Sequence, residues 1–248
     1  MSYVDAVAPE ITFTVSPETW TSDKTTVTVT ITDAGGSGVA RYSYDLGDEV
    51  NHEGVVQPGE TTASLTIEVA KNGLYAITAA DYAGNETTAQ FIVSNIDTEA
   101  PVCSVSRNPT GWTAGNVTVS IDATDIGNTI AVPSPWDELV GSTCSGVKEI
   151  WYKPAATENF SLIWRATDVS NCPESRSASF NATTNSAYYV RLVDGAGNSS
   201  TSLISIDSID DAVPGVPNVH VTKLDGTALP AIEGKSWTNS DVHVQVGS

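Results

Sequence analysis

The chain repeats itself, and an internal period constrains the fold more than any composition does. Asp5-Ala-Val-Ala-Pro9 returns as Asp97-Thr-Glu-Ala-Pro101 and, less cleanly, as Asp210-Asp-Ala-Val-Pro214. A Trp-Thr pair follows in each copy, at Trp20-Thr21, Trp112-Thr113 and Trp237-Thr238. Asp5 precedes Trp20 by 15 residues and Asp33 by 28; Asp97 stands at the same distances from Trp112 and Asp125. Asp81 precedes Asp97 by 16 residues, as Asp194 precedes Asp210. Three copies result: residues 1–96, residues 97–209, and residues 210–248, the truncated start of a third.

Within a copy the apolar residues alternate. Val27, Val29 and Ile31 match Val117, Val119 and Ile121, and the third copy offers Val242, Val244 and Val246. Period two is the signature of a half-buried strand. In the first copy the pattern predicts strands at 11–15, 25–32, 39–44, 63–69, 74–80 and 86–93. A weak strand or loop lies between the third and fourth. The second copy repeats them at 102–106, 117–123, 147–153, 177–183, 188–193 and 200–206. About seven short strands per hundred residues, with no helical periodicity, predicts an all-β chain of immunoglobulin-like sandwiches. The second copy is longer because Asp125 and Val147 stand 22 residues apart where Asp33 and Val39 stand 6 apart, with a smaller insertion near 171–174. Added length between strands costs little closure entropy.

The run Asp97-Thr-Glu-Ala-Pro101, Gly111-Trp-Thr113, Val117-Thr-Val-Ser-Ile121, Ser145-Gly-Val147 and Asp194-Gly-Ala-Gly-Asn198 resembles the immunoglobulin-like repeats of large secreted bacterial cell-surface and adhesin-type proteins. The likeness covers residues 1 to about 209, with a truncated copy beyond. It implies an extracellular place on a bacterial surface and neighbouring repeats as the first partners.

Thirty acids against eleven bases give a formal charge of −19, which repels phosphate backbones and anionic lipid and attracts divalent cations. Nucleic acid is excluded as a partner, and no stretch reaches the length of a membrane span. No signal-peptide core follows Met1, so the chain reads as a segment of a longer protein and is expected to be monomeric.

In an immunoglobulin-like sandwich the leading segment, the second-to-third-strand loop and the last hairpin share one end. Asp5, Asp33 and Asp81 should therefore converge, as should Asp97, Asp125 and Asp194. Two readings stand. The aspartates cap tight Gly-rich turns, with Gly84 and Gly197 at positive φ. Alternatively each trio binds Ca²⁺ through carboxylate oxygens, with backbone and Asn carbonyls completing the shell. Extracellular modules of this kind bind at roughly 10⁻⁴–10⁻³ M.

Cys144 and Cys172 both fall in insertions that only the second copy carries, and a disulfide between them is expected. Cys103 takes the place of Ile11 and is read as a small buried hydrophobe. Trp136, Trp151 and Trp164 also belong to the second copy alone. They either form a local core under the long insertion or offer aromatic rings to a ligand. Trp151 stands between Ile150 and Tyr152, which match Tyr42 and Tyr44, and should face outward.

Nothing catalytic assembles. His52, His220 and His243 are scattered, and acidic pairs arise from density alone. Lys24 and Lys71 have no lysine counterparts at Asn116 and Thr184, which argues against a repeated Lys–Asn crosslink. The expectation is a non-catalytic spacer. Its rival is a second copy that itself binds a glycan or an extracellular protein.

Overall fold

A computed structural model describes residues 4–48, 50–127, 144–168, 171–229, 231–232, 235–236 and 241–247. All regular structure in these residues is β. The first set of strands is β1 (Glu10–Ser16), β2 (Thr25–Thr32), β3 (Val39–Asp45), β4 (His52–Val55), β5 (Thr62–Val69), β6 (Gly73–Asp81) and β7 (Glu86–Val93). The second is β8 (Val102–Asn108), β9 (Val117–Thr124), β10 (Val147–Pro154), β11 (Ser161–Arg165), β12 (Ser175–Ala182), β13 (Ser186–Asp194) and β14 (Ser199–Ile206).

Each set makes one three-stranded and one four-stranded antiparallel sheet. The orders are β1-β2-β5 with β4-β3-β6-β7, and β8-β9-β12 with β11-β10-β13-β14. The weak strand expected between the third and fourth is real: it is β4 in one set and β11 in the other. Six residues separate β4 from β5 and nine separate β11 from β12, which places most of the smaller insertion there.

Two separate cores follow from the alternation. Val27, Val29 and Ile31 of β2 are fully buried against Ile67, Ile77 and Phe91. Val117, Val119 and Ile121 of β9 are fully buried against Ile150, Tyr188 and Leu192. Each such side chain contributes roughly 1.5–3 kcal/mol by leaving water. Tyr152 stacks on Phe180 at 4.2 Å and Tyr75 on Phe91 at 5.5 Å, so aromatic pairs fill matching ends of the two cores.

The end of each set is pinned to its own base. Thr21 N donates to Asn95 O and Asp97 N to Thr21 O, both at 2.9 Å. Asn72 holds Ile96 from both sides, its Nδ2 donating to Ile96 O at 2.6 Å and its Oδ1 accepting from Ile96 N at 2.9 Å. Thr113, Asn185, Ile209 and Asp210 repeat the arrangement in the second set.

Beyond it, β15 (Asn218–Lys223) pairs with β18 (Val242–Gly247), and β16 (Ala231–Ile232) with β17 (Lys235–Ser236). Val219, Val244 and Val246 stay more than half exposed. Trp237-Thr238 lies outside the described residues.

Candidate metal centres

Asp33 follows β2 and Asp81 ends β6, and these two strands are internal to the two sheets of the first set. Asp125 follows β9 and Asp194 ends β13, the corresponding internal strands of the second. Each pair of aspartates therefore sits where the two sheets end side by side. The third member comes from the segment leading into the set: Asp5 for one and Asp97 for the other. One carboxylate oxygen from each of Asp5, Asp33 and Asp81 lies within 4.8 Å of the others, and the same holds for Asp97, Asp125 and Asp194.

The local sequence explains the convergence. Gly38 N donates to Asp33 Oδ2 at 2.7 Å and Gly146 N to Asp125 Oδ2 at 2.6 Å, which turns each loop back over its aspartate. Ser37 N donates to Asp5 Oδ2 at 2.5 Å and Ser145 N to Asp97 Oδ2 at 2.7 Å. Asn85 and Asn198 work as double clamps. Asn198 Nδ2 donates to Asp194 Oδ2 at 2.8 Å and to Asp97 O at 2.8 Å, and Asn85 reaches Asp81 and Asp5 alike. Gly84 and Gly197 do adopt positive φ, 92° and 97°, in the hairpins that follow the aspartates. The aspartates thus cap turns, and they also converge; one role does not displace the other. The Gly-rich turns and the asparagines are those expected from the sequence, but each Asn presents its amide nitrogen to the aspartate and not its carbonyl; the Ser37 and Ser145 amides are further partners, in the recurring Ser-Gly-Val.

Electrostatically the second trio is the more extreme. Asp97, Asp125 and Asp194 are all buried, and none of the six aspartates has a Lys, Arg or His ion pair among the described residues. Burial, then the charge of Asp97, pushes the Asp125 carboxyl up to about 6. Burial also raises Asp194, against the opposing hydrogen bonds from Asn198. Asp5 shifts the other way, held below the usual range by the amide N–H groups of Val7 and Ser37.

Three buried carboxylates without a counterion suit a hard, oxygen-seeking cation. Two observations test that fit. Asp125 Oδ1 is buried with no hydrogen-bond partner, one of two such side-chain atoms among the described residues, the other being Ser208 Oγ. In the first set, a Cβ placed on Gly36 would fall 2.4 Å from Asp33 Oδ1, 2.6 Å from Asp33 Oδ2 and 2.7 Å from Asp5 Oδ2. Only the missing side chain leaves that oxygen-lined space open. The residues fit a divalent cation.

The remaining sequence candidates are placed as follows. Cys144 is buried beside Asp125, and Cys172 lies against the same segment: a Cβ on Gly146 would meet the Cys172 carbonyl oxygen at 2.3 Å and its Cβ at 2.8 Å. Burial pushes the Cys172 thiol up. Cys103 is half-buried at the edge of the second core, its Sγ 3.6 Å from Ser202 Oγ. Trp164 faces the core side of β11, with the Arg176 guanidinium 4.9 Å over its ring. Trp151 lies on the opposite, outer face, and Trp136 lies outside the described residues. No helix among the described residues is long and apolar enough to cross a membrane. No family model matches the chain, and no curated protein matches it.

Proposed function

We propose that the chain is a non-catalytic stretch of immunoglobulin-like repeats from an extracellular bacterial surface protein, serving as a stiff spacer whose joints are locked by Ca²⁺. The observation that carries this reading is Asp97. Its amide nitrogen is bonded to Thr21 at the base of the first sandwich, and its carboxylate stands with Asp125 and Asp194 at the head of the second. One residue belongs to both bodies, so no slack separates anchor from ligand.

When bound, the cation supplies charge neutralisation to three buried carboxylates. The chain's own part is to hold those oxygens. Ser145 and Gly146 fix one oxygen each on Asp97 and Asp125, leaving Asp125 Oδ1 available. Asn198 orients Asp194 and grips the Asp97 carbonyl. An open crevice at the same joint is lined by Trp20 and Asn95 from one side and by Lys148 and Gly195 from the other. Trp112, the counterpart of Trp20, is 74% exposed, as a side chain awaiting a following repeat would be.

Calorimetric titration with Ca²⁺ tests the reading. Two sites are expected, one lost in Asp33→Ala and the other in Asp125→Ala. Binding to a native-state site at ten- to hundredfold excess over Kd stabilises by about 1.4–2.7 kcal/mol, so chelation should lower the melting temperature by roughly 5–10 °C. Identical melts with calcium and chelator would leave turn capping alone.

We propose further that Cys144 and Cys172 are joined outside the cell, two thiols giving one disulfide as a small-molecule disulfide is reduced. Closing that 28-residue separation is worth roughly 3–4 kcal/mol in the loop-entropy model. Thiol counting on unreduced, denatured protein should then find Cys103 alone.

A further inference from the structure

The outer faces of the two four-stranded sheets share a backbone plan and differ in chemistry. In the first sandwich Ser43 pairs with Thr78, and Asp45 with Ala76. In the second the same places hold Trp151 paired with Arg191, and Lys153 paired with Tyr189. Small and acidic side chains become aromatic and basic ones. The first sandwich shows that the fold needs neither rings nor cations there.

These side chains are held ready. Trp151 Nε1 donates to Glu149 Oε2 at 2.8 Å, and Glu149 Oε1 accepts from Arg165 Nε at 2.9 Å, which fixes the indole on the sheet. The Lys153 ammonium sits 5.3 Å over the Phe160 ring and 5.5 Å over Tyr189. Arg191 is exposed, and its side chain has no hydrogen bond or ion pair among the described residues, although the chain carries 30 acids. Cross-strand neighbours on one face stand about 4.5–5.5 Å apart at Cβ, so ring and guanidinium lie within reach of one small ligand unit.

We infer that this face binds an acidic polysaccharide. The apolar C–H face of a sugar ring packs against Trp151, and its carboxylate or sulfate meets Arg191, whose planar fork donates pairs of hydrogen bonds to either anion. Local positive charge in a chain of net −19 supplies the complementarity. A flexible acidic peptide offers the charge but no flat apolar ring, and a fixed aromatic surface favours the partner that presents one.

The test is titration of the full chain, in calcium, with hyaluronate oligosaccharides, heparin, neutral dextran and oligo-glutamate. Binding to hyaluronate or heparin and not to dextran is expected, weakening as salt rises. Preference for hyaluronate assigns the anion as carboxylate, and preference for heparin as sulfate. Arg191→Ala and Trp151→Ser should each weaken it about tenfold, a loss of about 1.4 kcal/mol. Arg41→Ala, on the matching face of the first sandwich, should not. Melting curves will show whether Trp151→Ser still folds; exposed Arg191→Ala decides the matter alone if it does not. Binding to neither acidic saccharide, equal binding to oligo-glutamate, or indifference to Arg191→Ala would overturn the assignment.

Discussion

At the scale of single residues, Asp125 and Gly36 carry the sharpest consequences. Burial and Asp97 lift the folded-state pKa of Asp125 from 3.8 to about 6. Between those values the folded chain keeps a proton that the unfolded chain has lost. Without a cation, this group's contribution to stability is therefore full below about pH 4, falls as pH rises to 6 and is flat above. A cation at the proposed site would bind the ionised form and reverse the trend. Melts at pH 5 and pH 7.5, each with calcium and with chelator, should show a calcium effect that is small at pH 5 and full at pH 7.5. Asp125→Asn should remove the pH dependence of that difference. Gly36→Ala would drive a methyl group among the oxygens of Asp33 and Asp5. The calorimetric stoichiometry should fall from two to one, with the Asp97 site untouched.

Among the strands, legibility tracked burial. β2 and β9 could be read to within a residue because every second side chain is fully buried. Equal spacings also named both aspartate trios, since aspartates at the ends of corresponding strands must meet if the strands do. β4 and β11 are faint in the sequence because they are short edge strands, both exposed or half-buried throughout. The inward turn of Trp164 was not legible. It follows from a register shift between Ile150 and Trp151 that pairs Trp164 with Ile150, and alternation along β11 alone does not reveal it. The basic outer face is not legible in the sequence because Lys153, Tyr189 and Arg191 come together only across the sheet. For β18, alternation gives the strand and the structure its pairing with β15, but Val219, Val244 and Val246 remain exposed. Two strands alone are marginal in water. Limited proteolysis should trim the chain back to near Asp210 while residues 4–209 survive; a tail as resistant as the two sandwiches would show that these strands are covered.

For the molecule as a whole, the proposed reading makes Asp97 the joint between the two sandwiches. Small-angle scattering should give an elongated particle whose maximum dimension is sharply defined in calcium and smeared in chelator. Asp97→Ala should show the smeared profile in both. A compact particle in either condition would sink the spacer reading.

If the chain is the spacer proposed above, the placement of the aspartates also sets how it would carry load. Tension arriving at Asp97 would otherwise enter the second sandwich through β8, an edge strand, and shear its ladder against β9. On the proposed reading, a cation shared by Asp97, Asp125 and Asp194 would hand that pull directly to the ends of β9 and β13, an internal strand of each sheet. The edge would be bypassed. Metal bound at this point would make the joint a mechanical coupling, and its removal should lower the force at which a single stretched chain first yields.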